Sequence, residues 1–265
     1  MIRAFASASI LIAALALGIR ASSAADMSVR DLTSQLYNAD RSRPPQLSGH
    51  DLREMDLSGL DFKAANLSSS NLFGADLSGA DLSDAQLKGA RLDRVTIIGA
   101  RFDGADLSDA SFLRPSTFST LAAPSNEVAS FVGAKLARAR LFGRFNRTSF
   151  RGADLSGATL APFNRTGFIE QIWRTELSGA DLSGTNLSGA NLTYALLSFA
   201  NLRGANLSGA VLRKTDLSRA DLTGADLTGV DLAEADLDGA VLTGARGLES
   251  ALGLDSARNV DKAIR

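Results

Sequence analysis

The stretch ADLTGADLTGVDLAEADLDGA, residues 220–240, places leucine at Leu222, Leu227, Leu232 and Leu237, one every five residues. A strand repeats its inward side chains every two residues and an α-helix every 3.6, so neither explains the spacing. The same beat runs through much of the chain. Its centres are Leu47, Leu52, Leu57, Phe62 and every fifth residue on to Phe112, then Leu177 and every fifth residue on to Leu242. Two residues before most centres stands a small residue such as Ala65, Ala180 or Ala225, and Asp or Asn usually precedes the centre directly.

Self-similarity at a short fixed period signals an array of stacked units. Each five must supply one short extended side and one bend. The centre and the small residue two before it point inward, and the other three face water. Glycines such as Gly179, Gly184, Gly224 and Gly229 fall at the bends, where a tight turn favours them. Four bends of about 90° close one coil of about twenty residues, and eight to ten coils at ~4.8 Å make a rod on the order of 40–48 Å long.

The segments GADLSGADLS (74–83), GADLSGTNLSGANLT (179–193) and GADLTGVDL (224–232) resemble the pentapeptide-repeat family, whose motif is A(D/N)LXX. The resemblance implies an all-β fold, a right-handed quadrilateral β-helix with leucines laddered along its axis. It implies little about activity, because one fold hosts many functions.

A rod has two open ends that need covering. SVRDLTSQLYNA (28–39) sets Val29, Leu32 and Leu36 on one helical face with Ser28 placed to cap it. LESALGLDSARNVDKAI (248–264) is a weaker helical candidate, broken near Gly253. The expected organisation is a signal peptide at 1–25, an N-terminal cap at 26–46, a first repeat block at 47–112, irregular repeats with loops at 113–176, a second block at 177–246 and a C-terminal cap at 247–265. In the irregular part, Phe131, Leu136 and Leu141 keep the beat, while Phe150, Leu155 and Leu160 resume it one residue out of phase. The stretches 113–130 and 161–176 fit poorly and read as loops. The preferred account of this segment is decayed repeats whose Phe side chains replace lost leucines.

Arg3, the apolar run FASASILIAALALGI (5–19) and the small residues SSAA (22–25) read as a secretory signal cleaved after Ala25, with Ser23 at −3. The expected location is therefore the periplasm or the exterior. The chain has no cysteine and one histidine, His50, so disulfides, thiol catalysis and histidine-based metal sites have no basis. His50 reads as a residue of the first turn of the fold. No GxSxG elbow, phosphate loop, HExxH or EF-hand spacing occurs, and neither catalysis nor a cofactor is expected. Stacked aspartates such as Asp216 and Asp236 read as a solvated face rather than a cation site. Asn-x-Ser/Thr triplets occur at Asn66, Asn146, Asn164, Asn186, Asn191 and Asn206, four of them arising from the repeat itself, and they carry almost no evidence for glycosylation.

Two functional readings compete. The first is a rigid structural or protein-interaction module. Phe73, Ile98 and Leu113 break the polar exterior in the first block, and Tyr194, Leu196, Phe199 and Val211 do so within two adjacent coils of the second. That second group is the candidate protein-interaction patch; the partner's identity cannot be read from the residues. The second reading is a DNA mimic that inhibits a DNA-binding enzyme such as gyrase, an activity found in the same family. Duplex DNA carries one charge per ~1.7 Å, so a 48 Å mimic would present on the order of 28 negative charges. Without Arg3 and Arg20 the chain carries 26 basic and 29 acidic side chains, a net charge of −3. The first reading fits better, and nucleic acid is not an expected partner.

Overall fold

The computed structural model describes residues 26–62, 64–117, 127–162 and 174–265. The expected signal segment 1–25 lies outside the described residues. The five Ala220–Gly224 shows how each side is held. Ala220 N–H closes the bend on Leu217 C=O at 3.0 Å, while Asp221 N–H reaches back to Ala200 C=O at 2.9 Å. Leu222 and Gly224 N–H reach forward to Val241 and Thr243 C=O at 2.8 and 3.0 Å. The fifth amide, Thr223 N–H, has no carbonyl and donates to Asp221 Oδ1 at 2.9 Å. Every backbone donor in the five is therefore satisfied, which a packed coil requires. Leu222 and Ala220 point inward and are buried.

Repetition of this unit gives four flat faces of parallel bridges. We number the faces by their first residue: Gln46 opens face one, Asp51 face two, Asp56 face three and Asp61 face four. Face four climbs through Asp61, Asp81, Arg101, Ser130, Ser149, Asp181, Asn201, Asp221, Val241 and Ile264, ten rungs in one unbroken ladder. Nine intervals of ~4.8 Å span about 43 Å. Most sides pair through one bridge, because a side of five leaves little room before the next bend. Among the described residues only β1 (Ser111–Leu113) and β2 (Arg140–Phe142) form regular parallel strands, with Phe112 opposite Leu141. The chain is a right-handed quadrilateral β-helix.

The irregular segment continues the coil. Partners on face four are 29 residues apart from Arg101 to Ser130, 19 from Ser130 to Ser149 and 32 from Ser149 to Asp181, then 20 again. Nine residues are thus added after face three of the fourth coil and twelve after face two of the sixth; most of these insertions, residues 118–126 and 163–173, lie outside the described residues. The deficit of one arises where Leu141 is followed by Phe145 as the next buried centre, four residues on. Gly143 makes this short bend at φ 143°, with Arg114 Cα only 3.1 Å from where a Cβ would stand. This explains the phase slip of Phe150, Leu155 and Leu160. Phe102, Phe131 and Phe150 stack face to face at 4.8 and 5.0 Å, filling one axial ladder as leucines do elsewhere. All three are fully buried, so phenylalanine here is core.

At the first end, α1 (Val29–Asn38) lies over the coil, its N-terminus capped by Ser28 Oγ accepting from Asp31 N–H at 3.1 Å. Leu32 and Leu36 are buried, but Val29 is 39% exposed, so the expected three-residue apolar face has only two working members. His50 Nδ1 lies 3.1 Å from Asp26 Oδ1, and Asp26 N–H donates to Asp51 C=O at 3.1 Å, tying the first described residue to the first coil.

The far end corrects the expectation of a helix. Residues 246–264 form a last, wider coil with 3-10 turns at Leu248–Ser250 and Val260–Lys262. Ala245–Arg246, Ala251–Leu252, Ala257–Arg258 and Ala263–Ile264 recur every six residues, and each side gains one residue. Left-handed bends at Gly247, Gly253 and Asn259 keep the same period, with φ of 77°, 67° and 56°. Leucine spacing near Leu248, Leu252 and Leu254 imitates a helical stripe, and the six-residue beat beneath it is the true signal.

Candidate functional site

Tyr194 and Phe199 occupy bends at φ 65° and 59°, positions held by glycine in most fives because an L side chain is strained there. Tyr194 ends face two of the seventh coil, and Phe199 ends face three. Leu196 stands between them, in the place before the centre, bridging Glu176 below and Asp216 above. Val211 holds the same place on face two one coil higher, bridging Asn191 and Asp231. The structure therefore sets the four on two adjacent faces within two coils. Phe199 is 60% exposed, and the other three are half-buried.

The half-burial of Tyr194 has a cause the sequence reading missed. Lys214, at the bend directly above, lies 5.5 Å from the Tyr194 ring centroid and 3.5 Å from Glu234 Oε2 one coil further. The Tyr194 hydroxyl, and after it Glu234, hold the Lys214 ammonium above its ordinary pKa. Arg219 is placed likewise over Phe199, 5.4 Å from the ring. The signal in the sequence is a cation twenty residues after an aromatic bend. Each aromatic thus has one ring face against a cation of the same rod, and Phe199 keeps most of its surface in water.

The acidic residues have structural duties. Asp216 Oδ1 accepts from Ser218 N–H at 2.9 Å, and Asp236 Oδ1 accepts from Asp238 N–H at 3.1 Å and Asn259 Nδ2 at 2.8 Å. Arg258 lies 3.3 Å from the Asp236 carboxylate, which balances its charge. Among the described residues no group of three or more His, Asp or Glu is arranged to hold a metal ion. A cavity of about 280 Å³ opens beside Val128, Ala129, Ser130, Arg147 and Ser149, with no general base or nucleophile pair in its wall. The buried hydroxyls of Thr117 and Thr148 have no hydrogen-bond partner among the described residues. Inward threonines elsewhere do, as Thr185 and Thr215 show by donating to Phe150 and Leu192 C=O at 2.8 and 2.9 Å.

The family model for pentapeptide repeats matches in eight copies, over residues 46–74, 70–109, 174–209 and 205–244. No curated protein matches the sequence. Among solved structures, HetL, a pentapeptide repeat protein involved in heterocyst differentiation regulation from the cyanobacterium Nostoc sp. strain PCC 7120, is 28% identical. That match covers 88% of this chain and 94% of HetL, with a TM-score of 0.41. A trypsin-treated form of QnrB1, a plasmid-mediated fluoroquinolone resistance protein, is 21% identical over 82% of this chain and 93% of its own, with a TM-score of 0.42. A pentapeptide repeat protein from the thylakoid lumen of Arabidopsis thaliana is 22% identical over 68% of this chain and 69% of its own, with a TM-score of 0.24.

Proposed function

The chain belongs to the pentapeptide-repeat family, and we propose that it serves as an exported, rigid protein-interaction module without catalysis of its own. The observation that carries this reading is the apolar group Tyr194, Leu196, Phe199 and Val211 on the outside of a rod whose other faces are mostly polar. A side chain such as Phe199, 60% exposed, strains its own bend and contributes little to the core. Desolvation at an interface would give each such side chain roughly 1.5–3 kcal/mol, which the isolated rod does not gain. Export rests on the character of residues 1–25, and it would place the module in the periplasm or outside the cell.

Replacing Leu196→Asp together with Phe199→Gly restores the repeat's own preferences. The variant should fold as well as the parent and weaken capture of a partner from the envelope fraction at least tenfold, or about 1.4 kcal/mol. Unchanged capture would remove the patch from the reading. N-terminal sequencing of periplasmic or culture material should begin at Asp26 or a residue either side. An intact Met1 on cytoplasmic protein would overturn export and bring the gyrase-directed reading forward, although a net charge of −1 remains far from that of a DNA mimic.

A further inference from the structure

Among the described residues five large apolar side chains are exposed: Val29, Tyr37, Phe199, Leu252 and Ile264. Phe199 belongs to the patch described above, and the other four lie at the two ends of the rod. The sides of a β-helix are closed by hydrogen bonds between coils, whereas its ends are not. At the first end, α1 spends Leu32 and Leu36 on the core and leaves 86% of Tyr37 in water. Val29, Thr33 and Tyr37 follow at four-residue steps, so they run along one flank of the helix beside the buried pair. The carboxylates of this segment are engaged, Asp26 by His50, Asp31 by Ser28 and Asp40 by Ser42. Among the described residues Arg30 and Arg43 belong to no ion pair, while Arg41 is held 3.5 Å from Asp61.

At the far end the ladders stop at Arg246, Leu252, Arg258 and Ile264, which bridge only the coil below. In that lower coil the amide after a rung donates upward, as Leu227 N–H does to Arg246 C=O at 2.7 Å. The matching amides of Gly247, Gly253 and Asn259 reach no backbone carbonyl among the described residues. Leu248, Leu254 and Val260 are only partly buried against the core, and Leu252 and Ile264 are 61% and 54% exposed. Glu249, Asp255 and Asp261, one on each of three successive sides of this coil, are exposed. None of the three belongs to an ion pair among the described residues, whereas Arg246, Arg258 and Lys262 are tied to Asp226, Asp236 and Asp238 one coil below. We infer that the last coil receives α1 of a second copy of this chain, with Val29 and Tyr37 covering its apolar side chains and Arg30 meeting its carboxylates.

The rod itself shows what kind of element closes such a cross-section, since α1 does so at the first end with an amphipathic helix. Charge then selects the orientation. Two last coils set face to face would bring their unpaired carboxylates together, a like-charge contact that costs affinity. The first end offers instead the unpaired Arg30 beside apolar side chains. Head-to-tail contact between straight rods does not close on itself, so it repeats into an open row. The footprint of a ten-residue helix is about 15 Å by 10 Å. That is well below the ~800 Å² per partner of a standard interface, so the contact is weak and grows with concentration. It is separate from Tyr194, Leu196, Phe199 and Val211, and it stands whether or not that patch binds anything.

The test uses the protein as the cell processes it, its N-terminus read by mass spectrometry, in sedimentation velocity over a wide range of concentration. The average mass should rise steadily with concentration, without a stop at the dimer. Val29→Ser with Tyr37→Ser blocks the first end, and Leu252→Ser with Ile264→Ser blocks the last. Each variant alone should associate at least tenfold more weakly than the parent at an unchanged melting temperature. Mixed together they should form one-to-one pairs and nothing longer, because each supplies the end that the other lacks. Should a double substitution unfold its end, Tyr37→Ser alone, at the most exposed of the four positions, gives the same reading. Leu196→Asp with Phe199→Gly should leave association unchanged. A monomer at every concentration would overturn the inference. So would a dimer that survives in the first-end variant alone, which is head-to-head contact, or association lost with Leu196 and Phe199.

Discussion

In the described fives where Asp or Asn stands before the centre, the amide after the leucine points where the neighbouring coils offer no carbonyl, and the oxygen of that Asp or Asn accepts it. Asn191 does this for Thr193, taking its N–H at 3.1 Å and its hydroxyl at 2.7 Å. Asn191→Ala should therefore cost about 1 kcal/mol in denaturant unfolding. Asn191→Asp, which keeps the acceptor, should stay within about 0.5 kcal/mol of the parent. The same bonds set the response to acid. The hydroxyl and then the amide of Ser58 hold the Asp56 carboxyl below its usual pKa, and Thr228 does so for Asp226. The unfolded chain, with aspartates near 3.9, takes up protons first as pH falls. This stability is complete above about pH 5 and is lost as pH drops through the lower folded values. Melting temperature followed by circular dichroism should be flat from neutral pH to about 5 and fall below about 4. A rise on acidification would contradict the assignment. The sequence displays the Asp/Asn position plainly, but its duty is invisible until the backbone donors of a coil are accounted for.

At the scale of the coil and its caps, the leucines divide cleanly from the serines beside them. Leu222 is buried within its ladder, and Leu222→Ala should cost about 2–5 kcal/mol. Ser218→Ala, outside the core, should change stability by less than about 0.5 kcal/mol. Similar losses at both would refute the inward assignment. The last coil offers a sharper contrast. A Cβ at Gly253 would stand 2.7 Å from Ala233 Cα, whereas one at Gly184 would meet nothing within 4 Å. Gly184→Ala should cost only the left-handed strain, about 1–2 kcal/mol. Gly253→Ala should cost more and unseat the wide coil, seen as faster amide exchange across 246–264. The repeat blocks are legible because one period covers them. The wide coil is not, since its six-residue beat recurs too few times to stand out against Leu248, Leu252 and Leu254. The N-terminal helix is legible from Ser28, Leu32 and Leu36, but Val29 shows that a helical stripe does not tell which members find a surface to cover. Of the candidate patch, outward placement is legible from the register. The cations over Tyr194 and Phe199 are seen only when residues twenty apart are laid side by side.

For the whole molecule, the decisive matter is continuity. Ten rungs pass from Asp61 to Ile264 without a break, although their spacing along the chain changes to 29, 19 and 32 residues in the middle. A continuous rod holds both repeat blocks, and with them the apolar group of coils seven and eight, in one rigid body. Two rods joined by a disordered middle would not. The chain has no cysteine, so a single engineered pair can report on this register. Asp154 and Asn186 are 32 residues apart yet occupy adjacent rungs, with Asn186 Nδ2 donating to Asp154 Oδ1 at 2.9 Å. Adjacent rungs lie within the Cα separation of roughly 4.4–6.8 Å that a disulfide tolerates. Asp154→Cys with Asn186→Cys should cross-link readily under mild oxidation, detected by mass spectrometry of the joined peptides. The pair Asp154→Cys with Arg174→Cys, at the ordinary twenty-residue spacing, should not. Cross-linking of the second pair in preference to the first would contradict the continuous ten-coil rod.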